Sequence, residues 1–342
     1  MNDLKKYSFI NSKIRALISY LIKPAIFKRC VDAKNIYEIF EILKDTRYGF
    51  LMEFLNDFDL KSIEKRLIKE DIDIFFNIYK FIPTKTEKEF MFLLLERYEI
   101  DNLKIALRLW RKKELVDLDD YMPKRNICFN IDFEKIINAF SLDEIIKVLD
   151  NTVYKKVILD SKEFINKSLF YLEISLDIDY YKRLFNTINK LSHLDKKVAS
   201  KILGIEVDIE NINLLIKFKK YYNFKEDISG WFLTGGEFIN KEKLKDLYKN
   251  VSLDELINKI SFGPYKDIKE VFEKNIFFIE NFLYEVLLKE VKRVLSGFPF
   301  TIGTIFGYFI LKRKETKNMI SLISAKSRNL QKEEILQLLN LS

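Results

Sequence analysis

Three stretches of the chain repeat one pattern of apolar and polar positions. Asn35 to Tyr48 (NIYEIFEILKDTRY), Ser141 to Tyr154 (SLDEIIKVLDNTVY) and Ser252 to Tyr265 (SLDELINKISFGPY) align without a gap. Apolar residues recur at i, i+3, i+4 and i+7 in each: Ile36, Ile39, Phe40 and Leu43; Leu142, Ile145, Ile146 and Leu149; Leu253, Leu256, Ile257 and Ile260. That period is one face of an α-helix. Each window opens on a side chain able to accept from a free helix N–H, namely Asn35, Ser141 or Ser252. Each carries a glutamate three positions on: Glu38, Glu144 or Glu255. This is the capping-box arrangement, in which cap and glutamate each satisfy an orphaned N–H. Each window closes on a tyrosine, with Thr46, Thr152 or Gly263 two positions earlier at the expected helix end.

A second landmark follows each window. RYEIDNLKIALRLWRKK (Arg97 to Lys113) reads as a helix that opens on acids, turns apolar and ends basic. EVDIENINLLIKFKKYY (Glu206 to Tyr222) and KRKETKNMISLISAKSR (Lys312 to Arg328) share its signature of an acid, two residues, an asparagine and an apolar residue. The triplets are Glu99, Asn102 and Leu103; Asp208, Asn211 and Ile212; Glu315, Asn318 and Met319. From cap to asparagine the distance is 67, 70 and 66 residues. Two landmarks at matched separations imply an internal repeat of about 107 residues. The expected units are 1–113, 114–223 and 224–342, each with a short capped helix, one or two long helices and the asparagine helix.

The long helices are expected over about Leu51–Ile82, Lys155–Leu191 and Asp267–Leu295, with breaks. Pro83 and Pro299 end the first and third, and Leu191–His193 is a softer break in the second. Pro123 and Gly235–Gly236 mark turns in the openings of units two and three. In the asparagine helices Leu103, Ile212 and Met319 match, as do Ala106, Leu215 and Leu322, and Leu107, Ile216 and Ile323. This stripe reads as core packing. Asn102, Asn211 and Asn318 either bond the backbone of a neighbouring unit or sit at the surface of frayed helix starts. Helix interiors disfavour asparagine unless something compensates, which favours the first reading.

Composition agrees with an all-α fold. The 342 residues include 9 Gly and 5 Pro, far below an average combined usage of about 12%. Strand-rich folds need many turns, and turns need those residues. Charged residues make up 32% of the chain, and 59 basic against 51 acidic residues give a net charge of +8. That excess reads first as a lysine-rich solvated surface and second as affinity for an anionic partner. No dense basic run with interleaved aromatics marks a nucleic-acid track. Cys30 and Cys128 lack a CxxC spacing and read as buried thiols. The N-terminal stretch has no clean apolar core or small-residue cleavage site, so no signal peptide is expected. The longest uncharged apolar run, Phe298 to Leu311, falls short of the ~20 residues a spanning helix needs.

No catalytic constellation emerges. His193 is the single histidine, so a Ser–His or Cys–His pair would depend on it, and its setting reads as a helix end or loop. Metal sites built on His and Cys are excluded by count. Gly235–Gly236 lacks the spacing and setting of a phosphate-binding loop. No catalytic, cofactor-binding or metal-binding residue and no small-molecule substrate is expected.

The repeated [DE]-x-x-N-apolar helices, with GYFILKRKETKNMISLISAKSRNL (Gly307 to Leu330), resemble the C subunit of the archaeal-type A/V-ATPases. Its eukaryotic relative is the d subunit of the vacuolar ATPase. YSFINSKIRAL (Tyr7 to Leu17), the DTRYG turn (Asp45 to Gly49) and the Gly–Gly pair resemble it too. The likeness spans nearly the whole chain and rests on the order and spacing of short motifs. TKTEKEF after Pro83 has no clear counterpart. The resemblance implies a funnel of three pseudo-threefold-related helical bundles and a non-catalytic, cofactor-free rotor part. It implies a cytoplasmic, peripheral-membrane connector between the central-stalk foot, made of subunits D and F, and the proteolipid rotor ring. Torque passing through it would serve proton or sodium transport. On this reading Lys312, Arg313, Lys314 and Lys317 are the candidate partner-binding residues, in a basic cluster with Lys326, Arg328 and Lys332. The alternative is a helical-repeat scaffold binding a protein or peptide, although such repeats are usually 34 to about 47 residues long.

Overall fold

A computed structural model describes residues 3–82, 84–113, 117–118, 121–122, 126–165, 168–221, 229–249, 251–276 and 278–339. All regular structure among the described residues is helical. In chain order the first helices are α1 (Asp3–Ser19), α2 (Pro24–Asp32), α3 (Ile36–Leu43), α4 (Leu60–Tyr79) and α5 (Lys85–Lys112). There follow α6 (Phe133–Ile137), α7 (Leu142–Val148), α8 (Tyr154–Asp160), α9 (Lys162–Ile165), α10 (Leu169–Ile188) and α11 (His193–Tyr221). The last are α12 (Lys241–Lys249), α13 (Leu253–Ile260), α14 (Ile268–Lys274), α15 (Phe278–Ser296), α16 (Ile302–Ser327) and α17 (Lys332–Leu338). Pro83, Pro123 and the expected boundary at 223 lie outside the described residues.

The three windows form α3, α7 and α13, and their caps take the expected role. Asn35 Oδ1, Ser141 Oγ and Ser252 Oγ accept the N–H of Glu38 (2.9 Å), Glu144 (3.4 Å) and Glu255 (3.2 Å). Glu255 reaches back to the Ser252 N–H at 2.9 Å, completing a capping box. Glu38 and Glu144 reach one residue further, to the N–H of Lys34 (2.7 Å) and Phe140 (3.0 Å). At the far end, the Thr46 and Thr152 hydroxyls donate to Leu43 O (2.6 Å) and Leu149 O (2.8 Å), then accept the N–H of Tyr48 and Tyr154. Removing a cap oxygen frees a helix N–H, so Ser141→Ala and Ser252→Ala should each lower stability by about 1 kcal/mol. Thermal unfolding of both variants checks this, and no loss at either site would remove the caps from the account.

The expected long helices break where side chains cap new ones. Asp59 accepts the N–H of Ser62 at 2.9 Å and starts α4 after a 3-10 turn, Gly49–Phe54. Ser168 accepts the N–H of Phe170 at 3.2 Å and starts α10 after α8 and α9. The third stretch divides into α14 and α15, and α15 ends just before Gly297 and Pro299. The asparagine helices, by contrast, are longer than their signatures suggest. Each signature lies in the second half of a helix that begins at Lys85, His193 or Ile302.

The chain divides into two compact units, Glu64–Leu191 and the joined segments Met1–Ile63 and Ser192–Ser342. This packing division differs from a cut by sequence repeat. In Glu64–Leu191, α5 packs along α10 and against α6. Its Phe90, Met91, Leu94, Leu95, Leu103 and Leu107 are all but inaccessible. Ion pairs run along the α5–α10 seam. Arg183 grips Glu96 with two 2.6 Å bonds, and Arg97 and Lys104 converge on Asp177 at 3.0 and 2.6 Å. In the other unit α11, α15 and α16 pack on one another, with α1 and α3 against α16. Both sides of α16 are therefore covered, and eighteen of its residues are buried.

Candidate functional site

The acid of each asparagine signature and the tyrosine closing each window meet inside the protein. Glu99 on α5 is fully buried, and its Oε2 accepts the N–H of Ile127 (3.3 Å), Cys128 (2.8 Å) and Phe129 (3.0 Å). Its Oε1 accepts the Tyr154 hydroxyl at 3.1 Å. Asp208 on α11 is equally buried and accepts the N–H of Phe238 (2.8 Å) and Ile239 (3.1 Å) and the Tyr265 hydroxyl (3.1 Å). Glu315 on α16 accepts the Ile22 N–H and the Tyr48 hydroxyl, both at 2.5 Å. These are three copies of one junction. In each, a backbone donor (Ile22, Cys128 or Ile239) precedes the tyrosine by 26 positions.

The pairing rule is offset by one repeat. The first asparagine helix holds the second window, and the second holds the third. The last asparagine helix, α16, holds the first window, so the Glu315 junction joins residues 267 apart while the other tyrosine bonds span 55 and 57. The offset does not follow from the repeat alone, because apolar periodicity marks a buried face without naming what buries it.

Burial and hydrogen bonding oppose each other here. Burial pushes the Glu99 carboxyl up, and the Phe129 and Cys128 N–H groups and the Tyr154 hydroxyl pull it back. Asp208 is pushed from 3.8 to about 6 by burial, against the Phe238 and Ile239 N–H groups and the Tyr265 hydroxyl. Burial likewise raises the Tyr154 and Tyr265 phenols, which stay protonated donors. The space around Asp208 is tight: a Cβ on Gly236 would stand 2.2 Å from its Oδ1. Gly235 beside it has φ +99°, a left-handed conformation that glycine adopts without strain.

A carboxyl raised on folding binds protons more tightly in the folded state. Its stabilising contribution is present below the unfolded value of 3.8 and lost as pH rises through about 6. Between those values stability should therefore fall more steeply in the wild type than in Asp208→Asn, by up to about 3 kcal/mol in total. Denaturant titration of both proteins at several pH values checks the difference, and parallel profiles would contradict it.

The Glu315 junction carries an added cation. Lys312 Nζ donates to the Tyr48 hydroxyl (2.6 Å), Glu315 Oε1 (3.3 Å) and Thr316 Oγ1 (3.1 Å), and lies 4.8 Å from the Tyr48 ring centre. In the other two junctions the tyrosine ring meets phenylalanine edge-on instead: Phe129 against Tyr154 at 5.6 Å and Phe238 against Tyr265 at 5.9 Å. The expectation of an exposed basic cluster thus fails at Lys312, which is 1% exposed and spent internally. Lys314 is also buried and bonds Glu285 at 3.0 Å. A dense KRK run reads as surface, but α16 is covered on both sides, so its charges are matched inside the fold. Arg313 is half-buried beside the Phe309 ring, and Lys317 is exposed and pairs with Glu280 at 3.2 Å.

The signature asparagines are interior residues, and the alternative of surface residues at frayed helix starts falls away. Asn102 is buried well inside α5, Asn211 inside α11 and Asn318 inside α16. The acids before Asn102 and Asn318 mimic the acidic first turn of a helix, yet Lys85 and Ile302 begin those helices more than three turns earlier. A polar contact to the backbone of another segment is seen at Asn211. It accepts the Leu233 N–H and donates to Leu233 O, both at 2.9 Å, clamping the backbone that leads to the third window. At Asn102 and Asn318 the neighbouring acids, Glu99 and Glu315, make the bonds that hold a distant backbone N–H.

Another buried carboxylate that gathers several donors, Asp195 at the start of α11, has no counterpart in the repeat signal. It accepts from the Tyr7 hydroxyl (2.8 Å), Lys6 Nζ (3.2 Å), Ser192 Oγ (2.8 Å) and the Ile302 N–H (2.7 Å). His193 is exposed at the first turn of α11. Cys30 and Cys128 are free thiols. Among the described residues no cluster of His, Cys, Asp and Glu could hold a metal ion, and no helix is long and apolar enough to cross a membrane.

These features are seated in a chain with clear relatives. It is 25% identical to the C subunit of the A-type ATP synthase of Methanocaldococcus jannaschii, over 98% of this chain and 87% of that one. It is 24% identical to the protein of that name from Methanobrevibacter smithii, over 95% and 85% of the two chains. The Pyrococcus abyssi counterpart, of the same name, is 21% identical, over 92% and 84%. The sequence profile of the ATP synthase (C/AC39) subunit family matches residues 10–338. The match takes in all three windows, all three asparagine helices and their junctions, and the chain belongs to the ATP synthase (C/AC39) subunit family.

Proposed function

We propose that this protein is the non-catalytic connector of the central stalk, seated between the stalk foot of subunits D and F and the proteolipid rotor ring. It passes torque between them and so couples ATP turnover to ion transport. On this reading its three repeats form bundles about a pseudo-threefold axis, giving a funnel on the cytoplasmic side of the membrane. The observation that carries the reading is the set of three buried carboxylate–tyrosine junctions. A torque-bearing part must resist shear between its helices. Bonds from a buried carboxylate to backbone N–H and phenol donors are short, directional and shielded from water. The third junction ties the first window to the last long helix, so segments far apart in sequence are secured to each other. Arg313 and Lys317 remain candidates for contact with the acidic or polar surface of a partner, where exposed charge steers association more than it supplies affinity.

The test uses membranes carrying the whole complex with this protein omitted and then added back. ATP hydrolysis by the catalytic head should persist without it, ion transport should disappear, and addition should restore transport. Transport undiminished by omission would reject the connector role, and loss of hydrolysis in the head alone would contradict the non-catalytic one.

A further inference from the structure

Three long helices of the unit that contains α11 and α16 begin at one end of it. Asp195 on α11 accepts from the Tyr7 hydroxyl and Lys6 Nζ of α1 and from the Ile302 N–H of α16, so the starts of α1, α11 and α16 meet at one carboxylate. The end of α15 lies there too. A Cβ on Gly303 would stand 2.4 Å from Val198 of α11 and 2.7 Å from Val294 of α15, and Arg15 of α1 donates to Leu295 O. The loop at 297–301, from α15 to α16, therefore belongs to this end.

That loop puts aromatic surface into water. Phe298 is 55% exposed and meets the half-buried Phe300 edge-on, with ring centres 5.5 Å apart. Pro299 between them fixes its own φ, which stiffens the turn that carries the two rings. Leu4, in the first turn of α1, adds exposed apolar surface. The charge around these residues is of one sign. Over 4–22, 193–205 and 286–305 the chain has ten Lys or Arg against two acids, Asp195 and Glu290. Both acids are spent internally, Asp195 on its four donors and Glu290 on Arg293 (2.9 Å) and Lys201 (3.4 Å). Lys5, Lys196, Lys197 and Lys292 are exposed and face no acid among the described residues. Exposed aromatic rings collared by unneutralised lysines are complementary to anionic headgroups lying over acyl chains. A protein partner would need a fitted apolar pocket for each ring, whereas a bilayer yields to them.

We propose that this end of the protein docks directly on an anionic lipid surface. Phe298 and Phe300 enter the boundary between headgroups and acyl chains, and Lys5, Lys196 and Lys197 meet the headgroup phosphates. The proposal goes beyond the connector role, and its test uses the intact chain with no other subunit, so either can fail alone. The test is co-sedimentation with vesicles of phosphatidylcholine containing about one-quarter phosphatidylglycerol, against vesicles of phosphatidylcholine only. The chain should partition at least tenfold better onto the anionic vesicles, and about 0.5 M sodium chloride should release it. Phe298→Ser should weaken partition about fivefold or more, and the double variant Lys196→Gln, Lys197→Gln about tenfold. Thermal unfolding checks that each variant keeps its fold, and the lysine pair, being exposed, decides if Phe298→Ser does not. Absence of binding to the anionic vesicles, equal binding to the neutral ones, binding that survives the salt, or unchanged binding in either folded variant would each overturn the proposal.

Discussion

Lys312→Ala should destabilise the protein by about 3–5 kcal/mol, far more than loss of an ordinary surface lysine. Lys312 is 1% exposed and Glu315 8%, so the substitution strands a carboxylate where water cannot solvate it. It also removes a donor from the Tyr48 hydroxyl and from Thr316. Replacing both charges should hurt much less, because a buried ion pair gains little over a well-packed apolar pair. The double variant Lys312→Met, Glu315→Gln should therefore recover a good part of the loss. Denaturant unfolding of Lys312→Met, Glu315→Gln and the double variant measures the coupling. Additive losses would mean that the two residues do not act together.

The second large effect is expected at Asp208. Asp208→Ala leaves the Phe238 and Ile239 N–H groups and the Tyr265 hydroxyl without their acceptor, all three around a fully buried position. Each stranded donor costs about 1–3 kcal/mol, offset in part because a buried charge disappears, so a net loss of about 2–4 kcal/mol is expected near neutral pH. Tyr265→Phe removes one donor and leaves the carboxylate two others, and should cost only about 1 kcal/mol. Equal losses in the two variants would show that the backbone bonds to Asp208 contribute little.

Much of the local structure was legible in the sequence, for physical reasons that are local themselves. A cap and a glutamate three positions on act within one helical turn, and an i, i+3, i+4, i+7 stripe reports one buried face. The windows at Asn35, Ser141 and Ser252 accordingly form capped helices. What sequence pattern could not supply was partnership across distance. The acids Glu99, Asp208 and Glu315 were visible as repeats, but their tyrosines lie 55, 57 and 267 residues away. Beside them, Asn102 and Asn318 resemble residues near a helix start only because acids precede them, and those acids serve buried donors instead of the helix end. Lys312 misleads for a related reason. Local charge density suggests solvent, whereas the burial of α16 is set by α1, α3, α11 and α15 packing round it. Asp195 is invisible to repeat analysis because its donors, Tyr7, Lys6 and Ile302, come from two other parts of the chain.

The junctions make one claim that ordinary secondary structure does not. Ile22, Cys128 and Ile239 lie outside every helix, where a backbone N–H exposed to solvent would exchange quickly. Each instead donates to a buried carboxylate. Amide hydrogen exchange of the intact chain, resolved at these three residues, tests the account most directly. All three should exchange as slowly as amides in the middle of α5, α11 and α16, and Glu315→Ala should release Ile22 while leaving Cys128 and Ile239 protected. Fast exchange at all three in the wild type, or no change at Ile22 in the variant, would contradict the claim that these carboxylates hold the windows to the long helices.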